Sequence, residues 1–232
     1  MEGAGWVLAA AVAFVGTHFL LSHPLRRPIV AAVGDRGFSG IYSLVALATF
    51  VWMIVAYRAA PASALLWPVN GNTLWAAVTV IMLIASILLM GSFFRNPALP
   101  TGGSPAALPE TARGVFAITR HPMMWAFALW GFCHIAVFPM TKNIIVAGAI
   151  TLLALVGAAS QDSKKKALQP DLWPAWQAKT SYWPCAAIAA GRARFDGFGW
   201  RALAGGLGLW LAATWVHKPM SGWAAGIWHW IQ

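Results

Sequence analysis

The chain has 232 residues, 59% of them hydrophobic and only 9% charged, where soluble domains carry roughly a quarter charged residues. So few charges cannot shield that much apolar surface from water, which excludes a water-soluble fold and makes lipid part of the solvent. The formal charge of +10 does not indicate nucleic acid, because the basic residues flank apolar runs and form no stripe with base-stacking aromatics.

Six apolar segments follow one another, at residues 4–21, 40–57, 74–94, 122–138, 144–160 and 202–216. Each approaches the ~20 residues that cross hydrocarbon, and in lipid only helices satisfy their own backbone at that length. The predicted fold is an all-α integral membrane protein, a bundle of about six transmembrane helices forming one membrane domain over residues 1–232. The first run has no basic leader and no A-x-A-like site, so it reads as a membrane helix rather than a cleaved signal. Gly205, Gly206 and Gly208 in the last run predict close approach to a neighbouring helix. Cys133 lies in an apolar helix and Cys185 in a loop, so no disulfide framework is expected.

Thirteen of the sixteen Lys and Arg fall in the first, third and fifth connections. Arg58, Lys142 and Lys218 lie on the other side. The positive-inside rule then places the basic connections in the cytoplasm and both termini outside. The third connection, 95–120, is rich in Pro and Gly (Pro97, Pro100, Gly102, Gly103, Pro105, Pro109) and reads as a loop. A short helix is expected to start at Pro109-Glu110-Thr111. The fifth, 161–201, combines Lys164, Lys165 and Lys166 with Trp173, Trp176, Tyr182 and Trp183, the pattern of a segment lying on the membrane surface. The tail 223–230 repeats it on the opposite face. Most of the fifteen tryptophans, among them Trp6, Trp67, Trp75, Trp200 and Trp230, are expected to anchor at the interface.

Ionisable groups inside a membrane are expensive. His18 sits in the first run and His121 opens the fourth as Arg120-His121-Pro122. His134 lies deeper in that helix, His217 near the outer end of the last, and His23 and His229 at interfaces. One or two hydrogen bonds satisfy a neutral imidazole, so each histidine alone can be structural. Several in one bundle point instead to a metal or a haem, which needs an apolar slot and axial imidazoles. Zinc fits less well, since no close pair of ligands occurs at helical spacing. By depth, His18 pairs with His121, because His134 lies ~20 Å further along a straight helix, and His134 pairs with His217. Arg120 either holds a phosphate or carboxylate bidentately or snorkels at a helix end. Asp162 with the lysines after it is either an ion-pair cluster or a charged helix end. Met123, Met124 and Met140 read as flexible packing.

Three stretches resemble the NnrU family, bacterial membrane proteins linked to nitrite and nitric oxide metabolism, to which plant zeta-carotene isomerase is related. The first is Gly16-Thr17-His18-Phe19-Leu20-Leu21-Ser22-His23-Pro24-Leu25-Arg26, with Gly34-Asp35-Arg36-Gly37-Phe38 after it. The second is Ile118-Thr119-Arg120-His121-Pro122-Met123 with Trp130 and His134, and the third Gln161-Asp162-Ser163-Lys164-Lys165 with Thr180-Ser181-Tyr182-Trp183-Pro184. The resemblance spans about residues 5–190, leaving the final helix and Trp-rich tail at 200–232 outside it. It implies haem b with His18 and His134 as iron ligands; the depth argument keeps His121 in reserve. Gly131 stands where the isomerase has a cysteine. Arg120, His121, Asp162 and Lys165 would shape the cytoplasmic mouth or hold the haem propionates. The implied setting is the bacterial inner membrane with periplasmic termini. The implied role is in denitrification, by redox chemistry or isomerase-like chemistry on a hydrophobic small molecule, with a redox partner. A more distant similarity to isoprenylcysteine carboxyl methyltransferases implies S-adenosylmethionine near Arg120, His121 and Asp162. Gln161-Asp162 departs from the paired glutamates of that group. A non-catalytic assembly or regulatory factor is the third expectation.

Overall fold

Wherever hydropathy runs high the backbone is helical, and in several places the helix continues well beyond the apolar stretch. The structure is a computed structural model describing residues 2–69, 71–98 and 108–231. Pro100, Gly102, Gly103 and Pro105 of the predicted loop lie outside the described residues. In chain order the helices are α1 (Glu2–Ser22), α2 (Arg26–Ala59), α3 (Asn72–Gly91), α4 (Val115–Ile118), α5 (Pro122–Val137), α6 (Thr141–Leu168), α7 (Leu172–Lys179), α8 (Ala186–Ala189) and α9 (Trp200–Ser221). A 3-10 turn, Gly226–His229, follows. No strand occurs among the described residues.

Helices form at all six predicted places. Four, α1, α2, α3 and α6, are long and apolar enough to cross a membrane, while α5 is apolar but only 16 residues long. The first connection is largely helical. α2 begins at Arg26 and breaks only at Gly34, whose φ of 73° and ψ of 173° suit a residue without Cβ. Arg26 spans the break, its guanidinium 3.0 Å from Asp35 and 5.2 Å above the Phe38 ring. The predicted short helix at Pro109 is absent, and the helical turn before the fourth run is instead Val115–Ile118. α6 runs on to Leu168, so Asp162 and the three lysines sit on a helix rather than in a connection.

The chain divides into two compact units, residues 1–70 with 134–153, and residues 71–133 with 154–232. In the first, α1 and α2 pack around Val7, Ala10, Met53 and Ala56, with Val146 of α6. Lys142 donates to the Ala60 and Tyr57 carbonyls at 2.6 and 3.3 Å, and its ammonium lies 4.9 Å above the Tyr57 ring. It satisfies carbonyls that the end of α2 leaves open. Leu44, Leu47, Val51 and Val55 form an exposed stripe on α2. Lipid tails are as apolar as these side chains, so no cost attaches to their exposure in a bilayer.

In the second unit α3 and α9 pack along their lengths, as the glycines of the last run predicted. A Cβ on Gly206 would lie 2.6 Å from the Ile87 Cα, whereas one on Gly208 would meet nothing. The tail packs back on α9 and α3. The Trp228 indole donates to Thr214 Oγ1 at 3.1 Å, and His229 stacks on Trp75 at 4.5 Å.

Candidate functional site

Sequence order places Arg120 and His121 between two helices. α4 ends at Ile118, Thr119 is extended, and α5 starts at Pro122. Proline suits the first turn of a helix, where its missing N–H would be unpaired in any case. The extended link is held by segment 181–185. The Arg120 N–H donates to Ser181 O at 2.9 Å, Thr119 Oγ1 to Tyr182 O at 2.8 Å, and the Cys185 N–H to Ile118 O at 2.8 Å. The Trp125 indole N–H also reaches Tyr182 O at 2.8 Å. These bonds aim the Arg120 and His121 side chains at α6.

There they meet Asp162. Arg120 Nε lies 2.9 and 2.8 Å from the two carboxylate oxygens, and its Nη2 lies 2.5 Å from Oδ2. His121 Nε2 is 2.8 Å from Oδ1, and the Trp173 indole N–H donates to the same oxygen at 3.2 Å. The side chains of Arg120 and Asp162 are 11% and 12% exposed, and that of His121 1%. A carboxylate so enclosed holds its charge because several donors converge on it. With the Nε2–H of His121 given to Asp162, a neutral imidazole carries its lone pair on Nδ1. That atom is buried and has no hydrogen-bond partner among the described residues.

Tyr182 closes one side, its ring 6.0 Å from that of His121 and its hydroxyl donating to Leu155 O at 2.8 Å. Burial first, then the Asp162 charge, raises the Tyr182 pKa above the ordinary 10.0, against a smaller opposing effect of Arg120. Lys165 lies beside the cluster, donating to Pro97 O at 3.2 Å, with its ammonium 5.7 Å above the Trp173 ring. Trp173 and Trp176 are 0% and 1% exposed, which corrects their reading as interfacial anchors. α7 folds these indoles into the core of the second unit, so 161–201 is not simply a surface-lying segment. Trp183, Trp200 and Trp6 are exposed.

His18 and His134 lie elsewhere, both in the first unit, whereas His121 and His217 belong to the second. The half-buried His18 has Nδ1 2.6 Å from Phe14 O, and its ring packs against Phe14 at 4.4 Å and Tyr42 at 5.5 Å. His134 is on the last turn of α5, where its carbonyl accepts from the Asn143 amide at 2.9 Å. Among the described residues, no group of three or more His, Cys, Asp and Glu is placed to hold a metal ion. Two axial imidazoles are a different arrangement, because a porphyrin supplies the remaining ligands.

The sequence matches the family described as NnrU protein over residues 6–225. The chain belongs to the NnrU family. The match extends past residue 190, where the sequence resemblance ended, and takes in α9. Searches among curated proteins and among solved structures gave no match. In this NnrU-family chain the Arg-His-Pro stretch and the Gln-Asp-Ser-Lys stretch, distant in sequence, are the two halves of one buried cluster. Sequence reasoning singled out Arg120, His121 and Asp162 but missed Trp173, Thr119 and Tyr182 as parts of it. The available signal was the scarcity of acids. With only six Asp and Glu in the chain, an aspartate on an apolar helix needs a cationic partner.

Proposed function

We propose that this NnrU-family protein is a haem b-binding membrane protein in which His18 and His134 would hold the haem iron. The observation that carries the reading is the orientation of His18. Its Nδ1–H is directed to the Phe14 carbonyl, so the lone pair of a neutral ring lies on Nε2. Iron-ligating histidines characteristically have their second nitrogen fixed by a carbonyl or carboxylate in this way. The aromatic surroundings of His18, Phe14 with Phe50 beyond it and Tyr42, suit a flat apolar macrocycle.

When bound, the haem supplies a one-electron couple or, with a releasable ligand, an open iron position for a hydrophobic substrate. The chain's own part is to fix the imidazoles, exclude water and set the polarity around them. Arg120 already has Asp162 as its anion. The same pairing weighs against S-adenosylmethionine, since Arg120 and Asp162 would have to turn from each other towards the cofactor. The reading extends to a place in the bacterial inner membrane, with the basic connections cytoplasmic and both termini periplasmic, and to a role in nitrite or nitric oxide metabolism.

The test is a reduced-minus-oxidised spectrum with iron stoichiometry on protein purified after haem-replete expression. A Soret band lost in both His18→Ala and His134→Ala supports the reading. No band, or one unchanged in both variants, rejects it.

A further inference from the structure

A second feature of the NnrU-family chain lies away from the histidines. A cleft of about 450 Å³ opens where α3 ends and α9 begins, walled by Gly91 and Phe94 on one side, Arg113 on another and Asp196, Trp200 and Arg201 on the third. Its depth follows from the helices. Gly91 is the last residue of α3, one of the four helices long and apolar enough to cross a membrane, so a bilayer spanned by α3 would place the cleft at its boundary. Trp200, 73% exposed at its rim, has the character of a residue at the headgroup level.

The charges in the cleft are uncommitted. Among the described residues no carboxylate lies within ion-pair distance of Arg113 or Arg201. Arg113 gives only its Nε–H, to Thr111 Oγ1 at 3.1 Å, which leaves the terminal amino groups of its fork. The Arg201 guanidinium stands 5.9 Å from the Phe94 ring and 5.5 Å from the Trp200 ring. Aromatic faces of this kind orient a guanidinium without using its N–H groups. Two arginines from separate segments on one cleft do more than snorkelling requires, since a snorkelling side chain needs only its own route to water.

We propose that this cleft binds the phosphate of a membrane phospholipid headgroup, with Arg113 and Arg201 as the anion ligands. Guanidinium forks match phosphate oxygens bidentately. Asp196 selects between phosphates. A carboxylate in the wall repels a dianionic inorganic phosphate more than a singly charged phosphodiester.

Native mass spectrometry of the full chain in detergent, titrated with phosphatidylglycerol, tests the assignment. One lipid is expected to stay bound. Arg113→Ala and Arg201→Ala should each weaken retention by roughly tenfold, as expected for loss of one charge-assisted partner. Asp196→Asn should tighten it about threefold by removing a repulsion, a gain that misfolding cannot imitate. Inorganic phosphate should leave the lipid in place. Unchanged retention in the double arginine variant, weaker retention in Asp196→Asn, or displacement by millimolar phosphate would each overturn the proposal.

Discussion

Arg120 grips Asp162 side-on, through Nε and Nη2 at 2.5–2.9 Å, across 42 residues of sequence. The pair fastens the start of α5 to the end of α6. Removing one partner of such a pair leaves the other charge enclosed without compensation, which costs about 3–5 kcal/mol. Arg120→Ala and Asp162→Asn are both expected to lower the unfolding midpoint in detergent markedly. The double variant should lose much less than the sum of the two, as a double-mutant cycle on tryptophan fluorescence will register.

His121 contributes its Nε2–H to the same carboxylate. A glutamine at this position keeps a donor at the corresponding reach, while leucine keeps the bulk and loses the donor. His121→Gln should therefore stay within about 1 kcal/mol of the parent, and His121→Leu should cost roughly 1–3 kcal/mol. Equal loss in the two variants would show that the ring's packing, not its hydrogen bond, matters.

Tyr182 gives the cluster an alkaline limit. Burial and the Asp162 charge raise its folded-state pKa above 10.0, so the folded chain retains the phenolic proton more tightly than the unfolded chain. The resulting stability is fully present below the unfolded pKa and is lost as pH rises through the folded one. Tyr182→Phe should flatten the fall in stability above pH ~10, while costing about 1 kcal/mol at neutral pH through the missing bond to Leu155. An alkaline unfolding series on the two proteins compares the slopes.

How far this cluster could be read from sequence depends on what hydropathy measures. The start of α5 was legible because Pro122 marks it in the chain itself. The end of α6 was not, since hydropathy stops near residue 160 where Gln161 and Asp162 begin, while the backbone remains helical to Leu168. Hydropathy reports the solvent a residue meets, and Lys and Ala propagate a helix in any solvent. The same mismatch hid the helical first connection. Trp173 misled for a related reason, because indoles among lysines and prolines look interfacial until a buried carboxylate supplies their N–H with an acceptor.

Close approach of α3 and α9 can be tested at two glycines only two positions apart. A Cβ on Gly206 meets backbone atoms of Ile87, which cannot swing aside, so Gly206→Val should cost about 1–3 kcal/mol or prevent packing. Gly208 faces open space. There alanine should be neutral or stabilise by about 0.5–1 kcal/mol through helix propensity. Thermal unfolding followed by size-exclusion chromatography separates these outcomes.

Lys142 tests the first unit by itself. Its ammonium closes the carbonyl end of α2 through Ala60 and Tyr57. Lys142→Met should cost about 1–2 kcal/mol and speed proteolytic cleavage in residues 60–69.

The Gly34 break gives α2 an articulated character. Beyond it the apolar run 40–57 rises ~27 Å at 1.5 Å per residue, close to the ~30 Å of a typical hydrocarbon layer. The joint at Gly34 falls before that run, so the arginine-bearing turns ahead of it can keep their own angle to the lipid surface.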